Sequence, residues 1–389
     1  MAIILFDNNL RNQFLPLTAT RAIADLRFGL FTIKERWGHL TNKNVFIHTE
    51  AYLQPLYPLC NEEDNIWIDS SVIVNNELVQ FILNLKIDEG LVDEIGLIAG
   101  RSANNQLQFS NINSTAWFSI LTKYEVARIA FPHQIINYND RFLREDFKFA
   151  TSNKVKQTLL PSPTNNLINK DQIFIEEGVT MEYCTVNANT GPVYIAKGAT
   201  IMEGCLIRGP FYLGENSMLK MGTKIYGATT LGNNCVGGGE IKNVIMQGYS
   251  NKAHDGYLGD SIIGEWCNFG AGSSNSNVKN TGGEVHIWNN GKNEFMNAGL
   301  KCGVIMGDYS RVAINSSINT GSVIGVCCNV FGKGLLPKVI GHFSWGENKN
   351  YEFEKGLKDI KNWKLMKGKT INNVEIEILK HIFETSTIN

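Results

Sequence analysis

The chain has 389 residues, of which 43% are hydrophobic, and its formal net charge is −1 at pH 7. This length and composition suffice for two hydrophobic cores, so two domains are predicted. The balanced charge gives no reason to expect a nucleic acid or a membrane surface as a partner, although local basic clusters can still bind a small anion such as a phosphate.

The amino-terminal part is predicted to be a mixed α/β domain over residues 1–160. The start, MAIILFDNNL, lacks the basic region and the long apolar run of a secretory signal, and no later run approaches the length of a membrane span, so a cytoplasmic protein is expected. AIILF and NVFIHT have the composition of buried strands. AIADLRFGLFTIKERWGHL and NNELVQFILNLK have apolar residues at helical spacing.

A polar segment rich in Pro and Asn, PSPTNNLINK, follows this domain and predicts a linker over 161–172. The eight cysteines of the chain show no CxxC spacing, and most lie singly inside apolar repeats. This pattern is typical of small buried side chains in a reducing compartment and argues against zinc or disulfides.

A six-residue repeat dominates the chain over residues 173–347. It is most regular at Ile195, Ile201, Ile207, Leu213, Leu219, Ile225 and Leu231, and it returns at Ile263, Phe269, Met306, Val312, Ile318, Ile324 and Val330. Six residues advance a helix by about 600°, which would smear the apolar stripe around the cylinder. A coil with three flat faces places one aliphatic residue of each face inward, so a hexapeptide parallel β-helix is predicted.

The repeat fails at about 237–257 and again at about 275–303. Loops that leave a rigid solenoid are where such scaffolds carry their sites. The first interruption contains Lys242, Lys252, His254, Asp255 and Tyr257. Histidine is the side chain best suited to take a proton near neutral pH. A lone loop histidine is more often an exposed residue without a role, but this company favours a general base at His254, with Asp255 either orienting it or pointing to solvent.

The stretch SNKAHDGYLGDSIIGEWCNFGAG, residues 250–272, is similar to the acetyltransferase centre of a bifunctional bacterial family, N-acetylglucosamine-1-phosphate uridylyltransferase/glucosamine-1-phosphate N-acetyltransferase. The resemblance implies a left-handed parallel β-helix, a homotrimer with sites between subunits, and His254 as the general base. It also implies that the sugar phosphate is bound by Lys224, Lys242, Tyr257, Asn268 and Lys301, and that acetyl-CoA is lined by Ala271, Asn277 and Val278. The chain departs from the family in the longer segment 281–300 and in Ile314, where the family has a Ser.

The amino-terminal stretch LPLTATRAIADLR carries a second motif. Sugar-phosphate nucleotidyltransferases hold nucleotide phosphates on a Gly-rich loop that ends in Gly-Thr-Arg, because a bare backbone can approach the anion closely. Thr20 and Arg21 fit the end of that loop, but no glycine precedes them. The stretch resembles the variant amino-terminal domain of an alternative group of these bifunctional proteins. The resemblance implies nucleotide contacts from Arg11, Thr20, Arg21 and Arg27, and Mg²⁺ ligands at Asp7 and Asp69. The alternative is a degenerate domain that has the nucleotidyltransferase fold but not the activity.

The last segment, 348–389, is predicted to be a helical tail, because Val374, Ile378, Leu379 and Ile382 have helical spacing. The sequence therefore predicts an α/β nucleotidyltransferase-like domain, a hexapeptide β-helix and a short helical tail.

The preferred function is acetyl transfer from acetyl-CoA to glucosamine-1-phosphate, coupled to nucleotidyl transfer from UTP that gives UDP-N-acetylglucosamine. One alternative is a sugar-1-phosphate nucleotidyltransferase, for example for glucose-1-phosphate and thymidylate, with a structural β-helix. A non-catalytic trimeric scaffold is a third hypothesis, and the crowded loop with Lys242, Lys252 and His254 argues against it.

Overall fold

The structure is a computed structural model that describes residues 1–103, 118–121, 126–152, 162–346 and 349–386. The predicted boundaries at 160/161 and 347/348 lie outside the described residues. The amino-terminal domain contains a six-stranded mixed sheet with the strand order Val45–His48, Ala2–Phe6, Asn65–Asp69, Leu97–Ser102, Glu89–Val92 and Phe118–Leu121. Its helices are Ile33–Thr41, Asn76–Leu83 and Pro132–Thr151, with 3-10 turns at Arg11–Phe14, Ile23–Asp25 and Gln54–Leu56.

The strands predicted from AIILF and NVFIHT are present and pair in parallel, and a helix forms at Asn76–Leu83 as expected. The helix predicted over residues 22–40 is wrong in its first half. The chain forms a small hairpin, Arg27–Phe28 with Phe31–Thr32, and the helix begins only at Ile33. Thr32 sets this start, because its hydroxyl accepts a hydrogen bond from the Glu35 N–H while the Glu35 carboxylate accepts one from the Thr32 N–H.

The second unit is a β-helix whose parallel strands stack on three faces, named A, B and C in the order in which most coils cross them. Face A contains Ile173–Ile175, Val193–Ile195, Phe211–Leu213, Thr229–Leu231, the second halves of Glu240–Gly248 and Tyr257–Glu265, Ile305–Met306, Val323–Ile324 and Val339–Ile340. Face B contains Thr180–Met181, Thr200–Ile201, Met218–Leu219, Val236–Gly237, Asn251–Lys252, Asn268–Phe269, Arg311–Val312, Asn329–Val330 and Ser344–Trp345, to which Lys349–Asn350 adds antiparallel. Face C contains Asn166–Ile168, Thr185–Asn187, Leu206–Arg208, Lys224–Tyr226, the first halves of the two long strands, Ser274–Asn275 and Ser317–Ile318.

The predicted repeat is confirmed as the basis of this fold. All seven residues of its regular part, from Ile195 to Leu231, are buried. The first strand of face C, Asn166–Ile168, and the short 3-10 turn Lys170–Gln172 lie inside the segment predicted as a linker. Leu167 pairs there with Val186 and packs against the β-helix core, so the first coil begins inside the predicted linker.

The expected excursion at 237–257 is wrong, because the chain stays in the solenoid there. Glu240–Gly248 and Tyr257–Glu265 are nine-residue strands that pair with each other across two faces. A single residue turns the corner within each strand, and Asn243 and Asp260 do so with φ of 55° and 47°. A one-residue corner shortens the coil, which removes the six-residue spacing without removing the strands.

The second interruption does leave the coil. It forms an antiparallel hairpin, His286–Asn289 with Glu294–Asn297. The hairpin reaches the amino-terminal domain, where the Asn290 amide donates to the Leu15 carbonyl at 3.4 Å and a Cβ on Gly291 would lie 2.8 Å from the Asn12 backbone. The segment 281–300 therefore links the β-helix to the 3-10 turn Arg11–Phe14 and to Leu15, which follows it.

The amino-terminal domain packs directly on the outside of face A. Ile245, Ile262, Ile305 and Val323 lie in register on that face, and all four belong to the hydrophobic core of the amino-terminal domain. Asn139, fully buried on the long helix, donates to the Ala228 carbonyl at 2.8 Å and accepts from the Thr230 hydroxyl at 3.0 Å. The two units therefore share one continuous core.

The tail forms two helices, Phe353–Met366 and Asn373–Ser386. Ile378, Leu379 and Ile382 are buried as the helical spacing predicts, in a cluster with Leu53 of the amino-terminal domain and Tyr309 of the β-helix. Among the described residues, none of the helices combines the length and apolarity needed to cross a bilayer.

Shortening one inward side chain tests the repeat. Leu231→Ala is expected to lower the free energy of unfolding by about 2–5 kcal/mol, because Leu231 is fully buried between coils that cannot collapse around the cavity. Urea denaturation monitored by circular dichroism gives this value. Leu365→Ala is the control, since Leu365 is 70% exposed, and an equal loss in both variants would contradict the predicted inward role of Leu231.

Candidate functional site

His254 lies on a four-residue corner between faces B and C. Gly237 pairs with Lys252 on face B, and Glu240 pairs with Tyr257 on face C. Two residues join the faces in the first coil, 238 and 239, whereas four join them in the second, 253–256. Leu219 and Lys224 are also separated by four residues, as are Phe269 and Ser274, so the short corner of the preceding coil is the exception. His254 and Asp255 are both exposed. Among the described residues, no hydrogen bond joins their side chains.

The same corner continues along the β-helix axis. The Gly272 N–H donates to the Asp255 carbonyl at 3.1 Å, and the Asn315 N–H donates to the Ala271 carbonyl at 2.8 Å. Ala271 thus lies on the coil after His254, as expected for a residue beside the acyl donor. The next residue along this edge is Ile314, which is 68% exposed.

Face C presents cations and tyrosines beside this corner. Lys224, Glu240 and Tyr257 lie in register, and Tyr226, Lys242 and Gly259 form the neighbouring row. The Lys242 ammonium lies 5.9 Å from the centre of the Tyr226 ring, and the Tyr226 hydroxyl donates to the Glu240 carboxylate at 2.5 Å. The structure therefore brings Lys224, Lys242 and Tyr257 together on one surface.

Arg208 extends this surface by one coil, next to Tyr226, and is exposed. It was missed by sequence reasoning. The available signal was its place directly after the inward Ile207, because residues that flank an inward position on a face point outward.

Packing on the backbone and a side-chain hydrogen bond fix the position of the Tyr257 side chain. Its hydroxyl lies over Gly259, where a Cβ would come within 2.2 Å of it. The Asn277 amide donates to this hydroxyl at 3.1 Å and also to the carboxylate of Asp260, while the Asn243 amide donates to the same carboxylate at 2.7 Å. Burial raises the pKa of Tyr257, with Asp260 adding to the shift, so the phenol keeps its proton near neutral pH.

The structure places the remaining predicted site residues of the β-helix at different positions around Tyr257. Lys301 is exposed, next to Cys302, whose N–H donates to the Asn277 carbonyl at 3.0 Å. Val278 is 40% exposed. Asn268 lies on face B and accepts from the Asn251 amide at 3.4 Å. Within one chain, Asn268 and Tyr257 thus belong to different faces.

In the amino-terminal domain, Asp7 and Asp69 follow or end neighbouring parallel strands. Asp7 is buried, forms an ion pair with Arg11 at 3.2 Å, and accepts hydrogen bonds from the Thr49 hydroxyl and the Ile23 N–H at 2.5 Å and 2.9 Å. Burial raises its pKa to about 6, against the opposing effect of Arg11.

Asp69 is held by Arg128, accepts from the Asn8 amide at 2.7 Å, and accepts from the Ser71 N–H at 2.8 Å. Both expected Mg²⁺ ligands thus have an arginine and further donors on their oxygens. Within the described parts of the chain, no group of three or more acidic, His or Cys side chains has a metal-binding arrangement. As placed, the residues present therefore do not fit Mg²⁺. Binding of Mg²⁺ by Asp7 and Asp69 stays a prediction.

The motif residues Thr20 and Arg21 face the β-helix. The Thr20 hydroxyl donates to Asp308 at 2.7 Å, and the Arg21 guanidinium pairs with Asp308 and, at 3.4 Å, with Glu265. Burial opposes the charge of Arg21, but these carboxylates hold its pKa well above its usual value. They line a cavity of about 220 Å³ where the amino-terminal domain, the β-helix and the tail meet.

Arg27 also faces the β-helix through its backbone, which exchanges hydrogen bonds of 2.7 Å and 3.0 Å with the Gln247 side chain, while its guanidinium pairs with Glu35 at 3.2 Å.

Comparison with known proteins supports two activities in related chains. Residues 3–155 match the family described as sugar nucleotidyl transferase. The chain is 34% identical over 101 residues to the bifunctional protein GlmU of Methanocaldococcus jannaschii, covering 26% of this chain and 24% of that protein. It is 34% identical over 105 residues to a bifunctional sugar-1-phosphate nucleotidylyltransferase/acetyltransferase of Sulfurisphaera tokodaii, covering 26% and 25%. The chain thus spans about a quarter of the length of the curated relatives it matches.

Among solved structures, an Arabidopsis UDP-N-acetylglucosamine acyltransferase is similar with a TM-score of 0.36 and 14% identity, over 59% of this chain and 91% of that chain. The predicted fold class is confirmed by the strand arrangement and by the family match. So is the predicted resemblance: over residues 3–155 the chain carries a domain of the sugar nucleotidyl transferase family, and it is similar to proteins named as bifunctional nucleotidylyltransferase/acetyltransferases.

Proposed function

We propose that the protein is a bifunctional transferase that acetylates the amine of an amino-sugar 1-phosphate at the β-helix and transfers a nucleotidyl group at the amino-terminal domain. The observation that carries the proposal is the corner 253–256, which exposes His254 beside a surface with Lys224, Lys242 and Tyr257. Ammonium groups bind a sugar phosphate, and a fixed phenol and amide bind hydroxyl groups, so this surface suits the substrate.

The chemistry follows from these groups. The neutral imidazole of His254 takes one proton from the sugar ammonium, and the freed nitrogen attacks the thioester carbonyl of acetyl-CoA. Backbone N–H groups stabilise the oxyanion. When the intermediate collapses, the C–S bond breaks, the thiolate takes the proton from the imidazolium, and the nitrogen releases its second proton to solvent. The products are the N-acetyl sugar phosphate and CoA with a free thiol.

The finer assignment is glucosamine-1-phosphate as acceptor, acetyl-CoA as donor, and UTP as the nucleotide, which gives UDP-N-acetylglucosamine in the cytoplasm. A homotrimer belongs to the same proposal. It is supported by Asn268, which lies on face B, away from the face C residues of its own chain, so that a neighbouring chain is needed to place an equivalent Asn opposite Tyr257.

One incubation tests both halves. The protein is mixed with glucosamine-1-phosphate, acetyl-CoA, UTP, dTTP and Mg²⁺, and free thiol and pyrophosphate are followed separately. Release of both supports the proposal and the consumed nucleotide identifies the base. Thiol without pyrophosphate leaves an acetyltransferase beside an inactive domain. Pyrophosphate release that does not depend on acetyl-CoA supports the alternative, a sugar-1-phosphate nucleotidyltransferase with a structural β-helix. The family match of residues 3–155 favours this alternative.

Gly259→Ala tests the placement of Tyr257. The new Cβ would meet the Tyr257 hydroxyl at 2.2 Å, so the ring must move away from Asn277. The KM for the sugar phosphate is expected to rise about tenfold, which corresponds to the loss of about one hydrogen bond. Steady-state kinetics of thiol release measures this value. Gly341→Ala is the control, since its nearest contact is 4.0 Å away, and an unchanged KM for Gly259→Ala would contradict the proposed contact.

A further inference from the structure

Lys252 occupies a position that the repeat reserves for an apolar side chain. On face B it lies in register with Gly237, which in turn pairs with the inward Leu219. Its side chain is 1% exposed, so it is fully buried inside the β-helix. The outward position of the same strand is taken by Asn251, whose side chain accepts from Lys367 of the tail at 2.9 Å.

The ammonium of Lys252 is held by backbone carbonyls of the two stacked corners. It donates to the His254 carbonyl at 2.5 Å and to the Asp255 carbonyl at 3.3 Å, two exposed residues of the same corner. A third donation, at 3.5 Å, goes to the Gly238 carbonyl in the two-residue corner of the preceding coil. One buried cation thus joins the longer corner to the shorter one.

The burial of this charge has to be explained, because moving an ammonium group out of water costs several kcal/mol unless its N–H groups are hydrogen-bonded. A methionine or leucine would bury well at this inward position, as Leu219 does on the same face. The three carbonyls show what the lysine does instead: it fixes the backbone of an exposed corner and joins it to the shorter corner of the preceding coil.

We propose that Lys252 is a positioning residue, which holds the backbone of His254 and Asp255 so that the imidazole of His254 meets the amine of the bound sugar phosphate. This inference rests on the proposed acetyl transfer. Lys252 does not touch the reacting groups and acts on them only through the backbone of the corner that it holds.

The protonation of Lys252 gives an independent readout. Burial lowers its pKa to about 8, and the carboxylate of Asp255 is the charged side chain that opposes this shift. Gly237 and Phe269, which flank Lys252 on the neighbouring coils of face B, carry no titratable group. Below pH 8 the charged amine has three N–H donors for three carbonyls, and above it the neutral amine has two. The kcat of acetyl transfer is therefore expected to fall as the pH rises through about 8.

The test compares Lys252→Met and Lys252→Arg with the unchanged protein, by thiol release from acetyl-CoA with glucosamine-1-phosphate. Lys252→Met is expected to lower kcat on the order of 100-fold, as for a displaced catalytic group, with little change in KM, because Lys224, Lys242 and Tyr257 are untouched. Its melting temperature is expected to stay equal or rise, since an apolar side chain replaces a buried charge. Lys252→Arg is expected to recover part of kcat and to lose the fall above about pH 8, because arginine stays charged.

Two results would overturn the inference. One is an unchanged kcat in a folded Lys252→Met protein, and the other, which needs no variant, is a kcat of the unchanged protein that stays flat from about pH 7 to about pH 10. If the unchanged protein releases no thiol at all, the proposed function itself fails, which is distinct from a working acetyltransferase that is indifferent to Lys252.

Discussion

Replacing His254 with alanine is expected to lower the kcat of acetyl transfer by about 10²–10⁴-fold. The imidazole is the group on the corner 253–256 that can remove a proton from the sugar ammonium near neutral pH. His254 is exposed, and its side chain supports no packing, so the variant is expected to fold with an unchanged melting temperature. Thiol release from acetyl-CoA with glucosamine-1-phosphate measures the effect.

Asp255→Ala is the matched control for this result, because Asp255 is the next residue on the same corner and is also exposed. Its kcat is expected to change by less than about tenfold, since no hydrogen bond joins the two side chains in the described structure. Nucleotidyl transfer by His254→Ala is expected to be unaffected. A His254→Ala protein that transfers acetyl groups at the normal rate would remove His254 from the mechanism and leave the base to be found elsewhere on face C.

Arg21→Ala is expected to lower the free energy of unfolding by about 3–5 kcal/mol, the cost of leaving one partner of a buried ion pair alone. Arg21 and Asp308 are both almost fully buried where the amino-terminal domain meets the β-helix. Without the guanidinium, the Asp308 carboxylate keeps the Thr20 hydroxyl at 2.7 Å and the Glu265 N–H at 2.8 Å, but no positive charge. Urea denaturation measures the loss.

The double variant Arg21→Met with Asp308→Asn separates this pair from a general loss of packing. Removing both charges together is expected to restore part of the stability, because the buried Asp308 carboxylate is then no longer left unpaired, while Glu265 and Asp25 still lose the charge of Arg21. Lys355→Ala, which removes an exposed partner of Glu352, is expected to leave stability unchanged. If the double variant is as unstable as the sum of its two single variants, the buried pair does not account for the loss.

The β-helix could be predicted because its rule is local. Each inward side chain, such as Ile207 or Leu213, recurs at a fixed spacing that no helix uses. The six-residue spacing is lost where a corner becomes shorter, although the strands on both sides of the corner remain. Asn243 turns a corner alone, which moves the following inward residues off the six-residue spacing without leaving the coil. A sequence pattern cannot distinguish such a shortened coil from a loop.

The site was predictable in part for a different reason. His254, Tyr257 and Asp260 lie in one continuous motif, so their proximity follows from the chain itself. The role of Thr20 and Arg21 was not accessible in this way, because their partner Asp308 is 287 positions from Arg21. The sequence shows Lys252 as one of several cations in a predicted loop. Its burial depends on the face of the β-helix that it occupies, and the change of register hides that face from the sequence pattern.

The shared core determines how the two proposed activities can be studied separately. Cutting the chain between the domains would expose Ile245, Ile262, Ile305 and Val323 on the outside of face A, a contiguous apolar surface of the kind that causes aggregation. Half-length fragments are therefore poor reagents for either reaction. Point substitutions in the full-length chain, which silence one centre and leave the packed body whole, are the proper way to dissect it.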